Sequence, residues 1–460
     1  MANNAIANIF RIKELRSKLF FTLLILVVFR LGGVLTIPGV DATALAQYFQ
    51  NLATQTSSAE NSFASYMNFF AGGAFEKFSV FMLGVMPYVS TQIILQLALI
   101  IFPGLKRRAM EDGGQRKIAS WTRIGTVFVC LIQSLAVTVY AQQTGTITPY
   151  FLAHPFEFKL LAMLTVTTGA MITIWLGDQI TARGIGNGIS MLIFAGIVAR
   201  LPSGIWDLYK WISPDGNTDS SRVVMAIVVM LLFVAVIALV IFEQQGERKI
   251  PVNYAKRVVG RKMYGGQSTY IPFKINPSGV IPVIFASSFL QFPIQIIASL
   301  AGKGVDDATS GDASSWLISL AQKLSPTGVL YNVLLVLLII FFAYFYTQVT
   351  LNPTEIAKNI RENGGSIPGI RPDKTEEYMQ KILNRLVLPG SLYLALIAII
   401  PTIVQIAFGF PQSVAMLMGG TSLLILVGVD LDTMSQIEAL LKMHHADGLV
   451  KKGKLRSRNL

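Results

Sequence analysis

Ten apolar runs recur along the chain, near residues 19–38, 78–102, 118–140, 158–176, 185–201, 223–242, 277–300, 329–350, 386–408 and 414–441. Their length constrains the fold more than any motif, because a membrane helix needs about 20 mostly apolar residues to cross the hydrocarbon core. Inside a bilayer the backbone cannot reach water, so such runs fold as helices. The whole chain has 53% hydrophobic and only 14% charged residues, whereas a soluble domain carries about 25% charged residues. These features predict an all-α integral membrane protein with ten transmembrane helices.

The net charge of +13 raises the question of nucleic acid, but basic residues in a membrane protein first report topology. With the N-terminus on the cytoplasmic side, the cytoplasmic segments hold 29 of the 38 Lys and Arg residues, which predicts that both termini are cytoplasmic. Arg11, Lys13, Arg16 and Lys18 precede the first run, and Ala42, Ala44 and Ala46 follow it, in the manner of a cleaved leader. The apolar character continues through Arg30 to Pro38, however, which suits an uncleaved span. Arg30 then faces either a packed interior or a water-filled cavity. An external loop, Pro202 to Arg222, separates five spans from five. Because five is odd, the halves enter the membrane with opposite orientation, the arrangement of an inverted repeat. The expected organisation is a cytoplasmic segment 1–18, an N-terminal half 19–206, a C-terminal half 222–442 with cytoplasmic loops 243–275 and 351–385, and a basic tail 443–460.

Several motifs fail on inspection. Gly184, Gly186 and Gly188 resemble part of a dinucleotide loop but lack a preceding strand and the third glycine spacing. Asp215, Asn217 and Asp219 begin like a calcium loop, yet Ser220 and Ala226 stand where glycine and glutamate are required. Gly302 and Lys303 lack the glycine of a phosphate-cradling loop. His444 and His445 are adjacent in a basic tail, where a solvated pair outweighs a metal site. The single cysteine, Cys130, lies in an apolar run and excludes a disulfide framework. No cofactor and no metal are expected.

Three stretches carry more information. In Ser62 to Pro103, the part from Phe78 to Phe102 is long enough to span. Residues 61–75 are too short and are broken by Gly72 and Gly73, so they form either a re-entrant helix or an external amphipathic segment. Those glycines and the flanking Glu76 and Lys77 suggest a loosely held segment. In the second span, Val85, Val89, Gln92 and Gln96 share a helix face, and Ile284, Ser288, Gln291 and Gln295 repeat the spacing in the seventh. The amides serve either interhelical hydrogen bonding or a pore lining. The loops 243–275 and 351–385 are basic and rich in Gly and Pro, as projecting hairpins that dock an acidic or RNA-bearing partner would be.

These stretches carry a family resemblance. MPYVSTQIILQL at 86–97, RGIGNGISMLIFAGIVARLP at 183–202, VNYAKR at 252–257, QSTYIPFKINPSGVIPVIFASS at 267–288, PGIRP at 368–372 and GGTSLLI at 419–425 occur in the order of the SecY family. That family comprises the channel subunits of the bacterial Sec protein translocon, and the resemblance runs from about Phe10 to Lys442. It implies two inverted five-helix halves around a central pore with a short re-entrant plug helix at 62–76. The pore ring falls on Val85, Val89, Ile189, Ile193, Ile284 and Ile425, with valine at two positions where the family often has isoleucine. The plug would include Phe63, Phe69, Gly72 and Gly73. A lateral gate, which releases signal and membrane segments sideways into lipid, would include Gln92, Gln96, Ser288 and Gln291. The motor ATPase SecA or the ribosome would dock on Arg248, Lys249, Lys256, Arg257, Arg261 and Arg371. The resemblance also implies SecE and SecG as companion subunits, preproteins bearing signal sequences as cargo, membrane lipids as surroundings, and no direct DNA binding. Translocation makes no covalent change, so the chain is expected not to be an enzyme. The alternative is a secondary transporter with inverted repeats, which should place ionisable groups near the midplane.

Overall fold

The computed structural model describes residues 12–54, 71–111, 113–143, 145–213, 220–254, 257–259, 262–264, 268–290, 324, 328–351, 353–409, 414–415 and 419–452. In chain order the helices are α1 (Lys13–Gly32), α2 (Ala42–Thr54), α3 (Met86–Ile101), α4 (Pro103–Met110), α5 (Gly114–Gln143), α6 (Pro149–Ala153), α7 (Pro155–Arg183), α8 (Gly188–Val198), α9 (Leu201–Ile212) and α10 (Ser220–Gln245). Strands β1 (Glu247–Tyr254), β2 (Arg257–Val259), β3 (Lys262–Tyr264) and β4 (Ser268–Lys274) follow. Then come α11 (Ile281–Leu290), α12 (Val329–Thr350), α13 (Pro353–Glu362), β5 (Gly365–Ser366), α14 (Thr375–Phe408) and α15 (Gly420–Lys452). Among the described residues, six helical stretches are long and apolar enough to cross a membrane, one of them α8 continued through α9. Helices α1, α3, α11 and α15 overlap four further apolar runs, which is consistent with ten spans. The fold is that of a helical membrane protein, with a small sheet between α10 and α11.

The described residues form two compact units, the first holding 12–203 and 425–452, the second 204–290 and 324–424. In the first, α5 packs between α3 and α7, and α7 also meets α1 and α8. The second span departs from a continuous helix. Helix α3 begins only at Met86, with Pro87 in its first turn, where a missing N–H costs nothing. Residues 71–85 are instead a succession of turns, with Phe78 at φ 40°. Hydropathy alone does not separate such turns from helix, because both bury apolar side chains.

Non-helical backbone at membrane depth is tolerated only where protein supplies its hydrogen bonds, and α1 and its extension do so here. Ile37 N–H donates to Phe78 O at 2.9 Å and Val80 N–H to Leu35 O at 2.9 Å. Arg30 Nη1 donates to Gly72 O at 2.8 Å, so this arginine faces packed protein. Ala71, Ala74, Phe75 and Phe78 are buried in the unit's largest described core with Val137 and Phe158. The Phe78 and Tyr140 rings stack at 6.3 Å. The end of the expected re-entrant segment is therefore core rather than loosely held, while Phe63 and Phe69 lie outside the described residues.

In the second unit, α14 packs against α12 and α10. The two loops expected to be cytoplasmic are not separate hairpins: β1 pairs antiparallel with β4 over seven residues from Glu247 opposite Lys274 to Asn253 opposite Ser268, and its other edge pairs with β5. The order is β4-β1-β5. The loops share a core of Ile250, Val252, Phe273, Ile360, Ile367 and Met379.

Gly169 of α7 lies directly against the Val80 carbonyl, so that a Cβ there would overlap it. Gly169→Val should push α7 away from the turns and destabilise the protein by about 1–3 kcal/mol, as overpacking does. Thermal unfolding in detergent checks this, and an unchanged midpoint would contradict the close approach.

Candidate functional site: the constriction helices and the basic platform

Helix α8 carries Ile189 and Ile193, and the turn ahead of it, RGIGNG, fixes where they sit. Its backbone N–H groups are taken by side chains from three helices and from its own cap. Ile185 N–H donates to Thr22 Oγ1 of α1 at 3.1 Å, Gly186 N–H to Gln436 Oε1 of α15 at 2.8 Å, and Gly188 N–H to Thr181 Oγ1 of α7 at 2.9 Å. Asn187 Oδ1 accepts from Ile189 N–H at 3.1 Å and Ser190 N–H at 3.4 Å, an N-cap. The glycines thus serve packing: a Cβ on Gly188 would overlap the Gly177 carbonyl. With these donors engaged, the turn is not a phosphate cradle. Thr22 and Gln436 escaped the sequence reading. Their only trace was a polar side chain inside an apolar run.

The aliphatic residues singled out from the sequence lie mostly inside the protein. Val85 (5% exposed), Val89 (4%) and Ile193 (5%) are buried in the first unit, as is Ile425 (2%), and Ile189 is half-buried. Val85 sits at the N-cap of α3 rather than within it, but Val89 N–H donates to Val85 O at 3.2 Å, so the helical spacing of the pair is kept. Ile284, on α11 of the second unit, is half-buried.

The polar stripes behave differently from each other. Ser288 is buried and its hydroxyl donates back to Ile284 O at 2.7 Å, an attachment to its own helix. Gln92 and Gln96 are half-buried, and Gln96 Oε1 is buried with no hydrogen-bond partner among the described residues. Gln291 and Gln295 lie outside them. An amide oxygen without a partner in an apolar setting costs about 1–3 kcal/mol.

Of the basic residues, Arg248 and Lys249 lie on the shared platform, and Arg257 lies in a separate two-stranded sheet, β2-β3. Along β1 the side chains alternate from Lys249 on, with Ile250 and Val252 buried on one face and Lys249 exposed on the other; Arg248 has the parity of Ile250 but is exposed at the strand's start. The Lys249 ammonium lies 4.8 Å from the Tyr270 ring centroid, which directs it over the outer face. Arg371 is exposed, after Gly369 at φ 81° and before the short turn Pro372–Lys374. Arg257 opens β2, opposite Tyr264. Lys256 and Arg261 lie outside the described residues.

The fastening of the turn before α8 is open to a direct test. Gln436→Leu removes the acceptor for the buried Gly186 N–H and should cost about 1–3 kcal/mol. Thr22→Val should do the same at Ile185. Hydrogen exchange at these two amides should quicken in the corresponding variant alone, and uniform protection in both would contradict the assignment.

Comparison with known proteins agrees with this geometry. The SecY family model matches residues 79–434. The protein translocase subunit SecY of Borreliella burgdorferi is 42% identical over 436 residues, covering 95% of this chain and 94% of its own. Among solved structures, one described as the structure of a protein conducting channel has a TM-score of 0.61 at 18% identity, with 92% of each chain covered. Sec61 in the canine ribosome–channel complex from the endoplasmic reticulum has a TM-score of 0.59 at 18% identity, with the same coverage. The family match takes in α3, the turn before α8, the basic platform and the start of α15, and the chain belongs to the SecY family.

Proposed function

We propose that this chain is the channel subunit of a bacterial protein translocase, passing unfolded polypeptides across the plasma (inner) membrane and releasing signal or membrane segments sideways into lipid. Val85, Val89, Ile189, Ile193, Ile284 and Ile425 supply its constriction. Aliphatic side chains offer a sliding polypeptide no strong hydrogen bonds, deform around varied residues, and block ions by dewetting. The plug at 62–76 closes the path at rest. Gln92 and Gln96 with Ser288 and Gln291 line the sideways exit. The chemistry is transport, with no covalent step, so no nucleophile or base is needed.

The observation that carries this reading is what two cations within the spans, Arg30 and Arg123, do. Arg30 is bonded to the Gly72 carbonyl, and Arg123 of α5 is paired with Asp178 of α7 at 2.7 Å. A secondary transporter with inverted repeats would turn such groups toward substrate or coupling ion. Here they hold backbone and neighbouring helices, which favours a channel without a charged filter.

The exposed platform suits macromolecular partners. The motor ATPase SecA and the ribosome would approach Arg248, Lys249, Lys256, Arg257, Arg261 and Arg371, where basic side chains steer an acidic or RNA-bearing surface. The excess of Lys and Arg at these loops and the tail argues for two cytoplasmic termini. SecE and SecG would complete the membrane complex, and ATP would be hydrolysed by the motor alone.

Two substitutions separate platform from constriction. Arg371→Glu should cut ATP-driven translocation into reconstituted vesicles by about tenfold or more and leave resting conductance unchanged. Ile425→Asn should instead raise resting conductance and let a reporter with a defective signal sequence through. Full ATP-driven transport by the first variant, or unaltered conductance and secretion in the second, would overturn the respective assignment.

A further inference from the structure

Four elements of the second unit meet at one junction. Helix α10 ends at Gln245, β1 begins at Glu247, β4 ends at Lys274 and α11 begins at Ile281. Ile275 N–H donates to Gly246 O at 2.8 Å and draws the end of β4 onto the end of α10, so closely that a Cβ on Gly246 would overlap the Ile275 side chain. Helix α14 lies against the same place, since a Cβ on Gly390 would stand 3.3 Å from Ile275 O and 3.5 Å from Asn276 Cβ. Tyr393, three residues on, shares that face of α14.

The side chains gathered at the junction are polar and incompletely matched. Glu243, in the last turn of α10, is only 7% exposed, yet neither carboxylate oxygen has a hydrogen-bond partner among the described residues. The same holds for Gln244 Nε2 and the Tyr393 hydroxyl, both buried. Glu243 lies within electrostatic reach of Tyr393 and Lys274, with Asn276 and Gln244 beside it. Asn276 is buried and uses its side chain on its own turn, Nδ2 donating to Gly279 O at 3.1 Å and Oδ1 accepting from Ser278 Oγ at 2.8 Å. A buried carboxylate without a donor is among the costliest groups a fold can hold.

We propose that Glu243, Gln244 and Tyr393 enclose an ordered-water site, and that through it Glu243 is a positioning residue for the turn that starts α11. The chemistry selects water. Gln244 Nε2 and the Tyr393 hydroxyl are donors and the Glu243 oxygens are acceptors, and a buried water, making roughly two to four hydrogen bonds, matches both kinds. A metal ion would satisfy the oxygens and leave the amide N–H groups unmatched. Glu243 is also too enclosed to admit a partner's side chain. Bonds through water hold groups nearly as well as direct ones, so the site ties the end of α10 to α14 and to the turn at Asn276. On the channel reading proposed above, that turn sets where Ile284 and Ser288 of α11 stand relative to the docking platform.

The test uses the full chain with its co-purified partners in vesicles, pulsed with hydroxyl radicals at set times after mixing into water enriched in oxygen-18. Tyr393 should be labelled, and its label should keep the original isotope after that of Tyr270, 54% exposed on the platform, has taken up the new one. No label at Tyr393, or exchange as fast as at Tyr270, would overturn the water site. Hydrogen exchange reads the positioning role at the Gly279 amide, which donates to Asn276 O at 3.3 Å. Glu243→Leu should quicken it while the amides of β1 stay protected, and Glu243→Gln, which keeps an acceptor oxygen, should restore it. Unchanged exchange at Gly279, equal quickening across β1, or no rescue by glutamine would overturn the role. Should Glu243→Leu fail to accumulate, Tyr393→Phe removes one hydroxyl and should quicken the same amide; full protection there would overturn the proposal. Neither readout measures translocation, so failure here leaves the channel reading standing.

Discussion

Backbone that leaves a helix inside a membrane must find its hydrogen bonds in protein, since each unmatched group there costs several kcal/mol. The arrangement of the first unit follows from this requirement at two places. The turns of residues 71–85 are stitched to α1 and its extension through Phe78, Val80 and Gly72. The turn before α8 is held by Thr22, Thr181 and Gln436 from α1, α7 and α15. Both irregular stretches lead into helices that carry aliphatic residues of the proposed constriction, Val89 after the first and Ile189 and Ile193 after the second. Satisfying the backbone and positioning the proposed channel lining are one structural problem here.

The same economy governs charge. Arg30 lies in a helix that an arginine would ordinarily destabilise at membrane depth, and its bond to the Gly72 carbonyl gives it a structural role. Arg123 and Asp178 neutralise each other across α5 and α7. Outside the spans charge is used oppositely: Lys249 is held at the surface by a strand whose alternate residues, Ile250 and Val252, are locked in a core. A rigid platform presents its cations without first having to order the loop that bears them.

The sequence made some of this legible and concealed the rest for physical reasons. Apolar length revealed the spans because bilayer thickness dictates it, and the six motif stretches pointed to the family now shown by the match over residues 79–434. The pairing of β1 with β5 joins Asn253 to Ser366, a long-range contact that no local pattern encodes. The roles of Thr22 and Gln436 were hidden because a single polar residue in an apolar run looks the same whether it serves its own helix or another. Residues 78–85 read as helix because hydropathy records burial and not backbone conformation. Helix α9 was masked by its proline and polar residues, which suit a loop equally well. The ring, gate and docking assignments rest on the motifs together with the burial of Val85, Val89, Ile193 and Ile425.

The most direct measurement places a photoreactive amino acid at Val89 or Ile193, and separately at the outward-facing Leu231, and irradiates vesicles in which a long polypeptide has been halted midway across the membrane. If the aliphatic residues line the path, Val89 and Ile193 should crosslink to the halted chain and Leu231 should not. Crosslinks at Leu231 with none at Val89 or Ile193 would contradict the account.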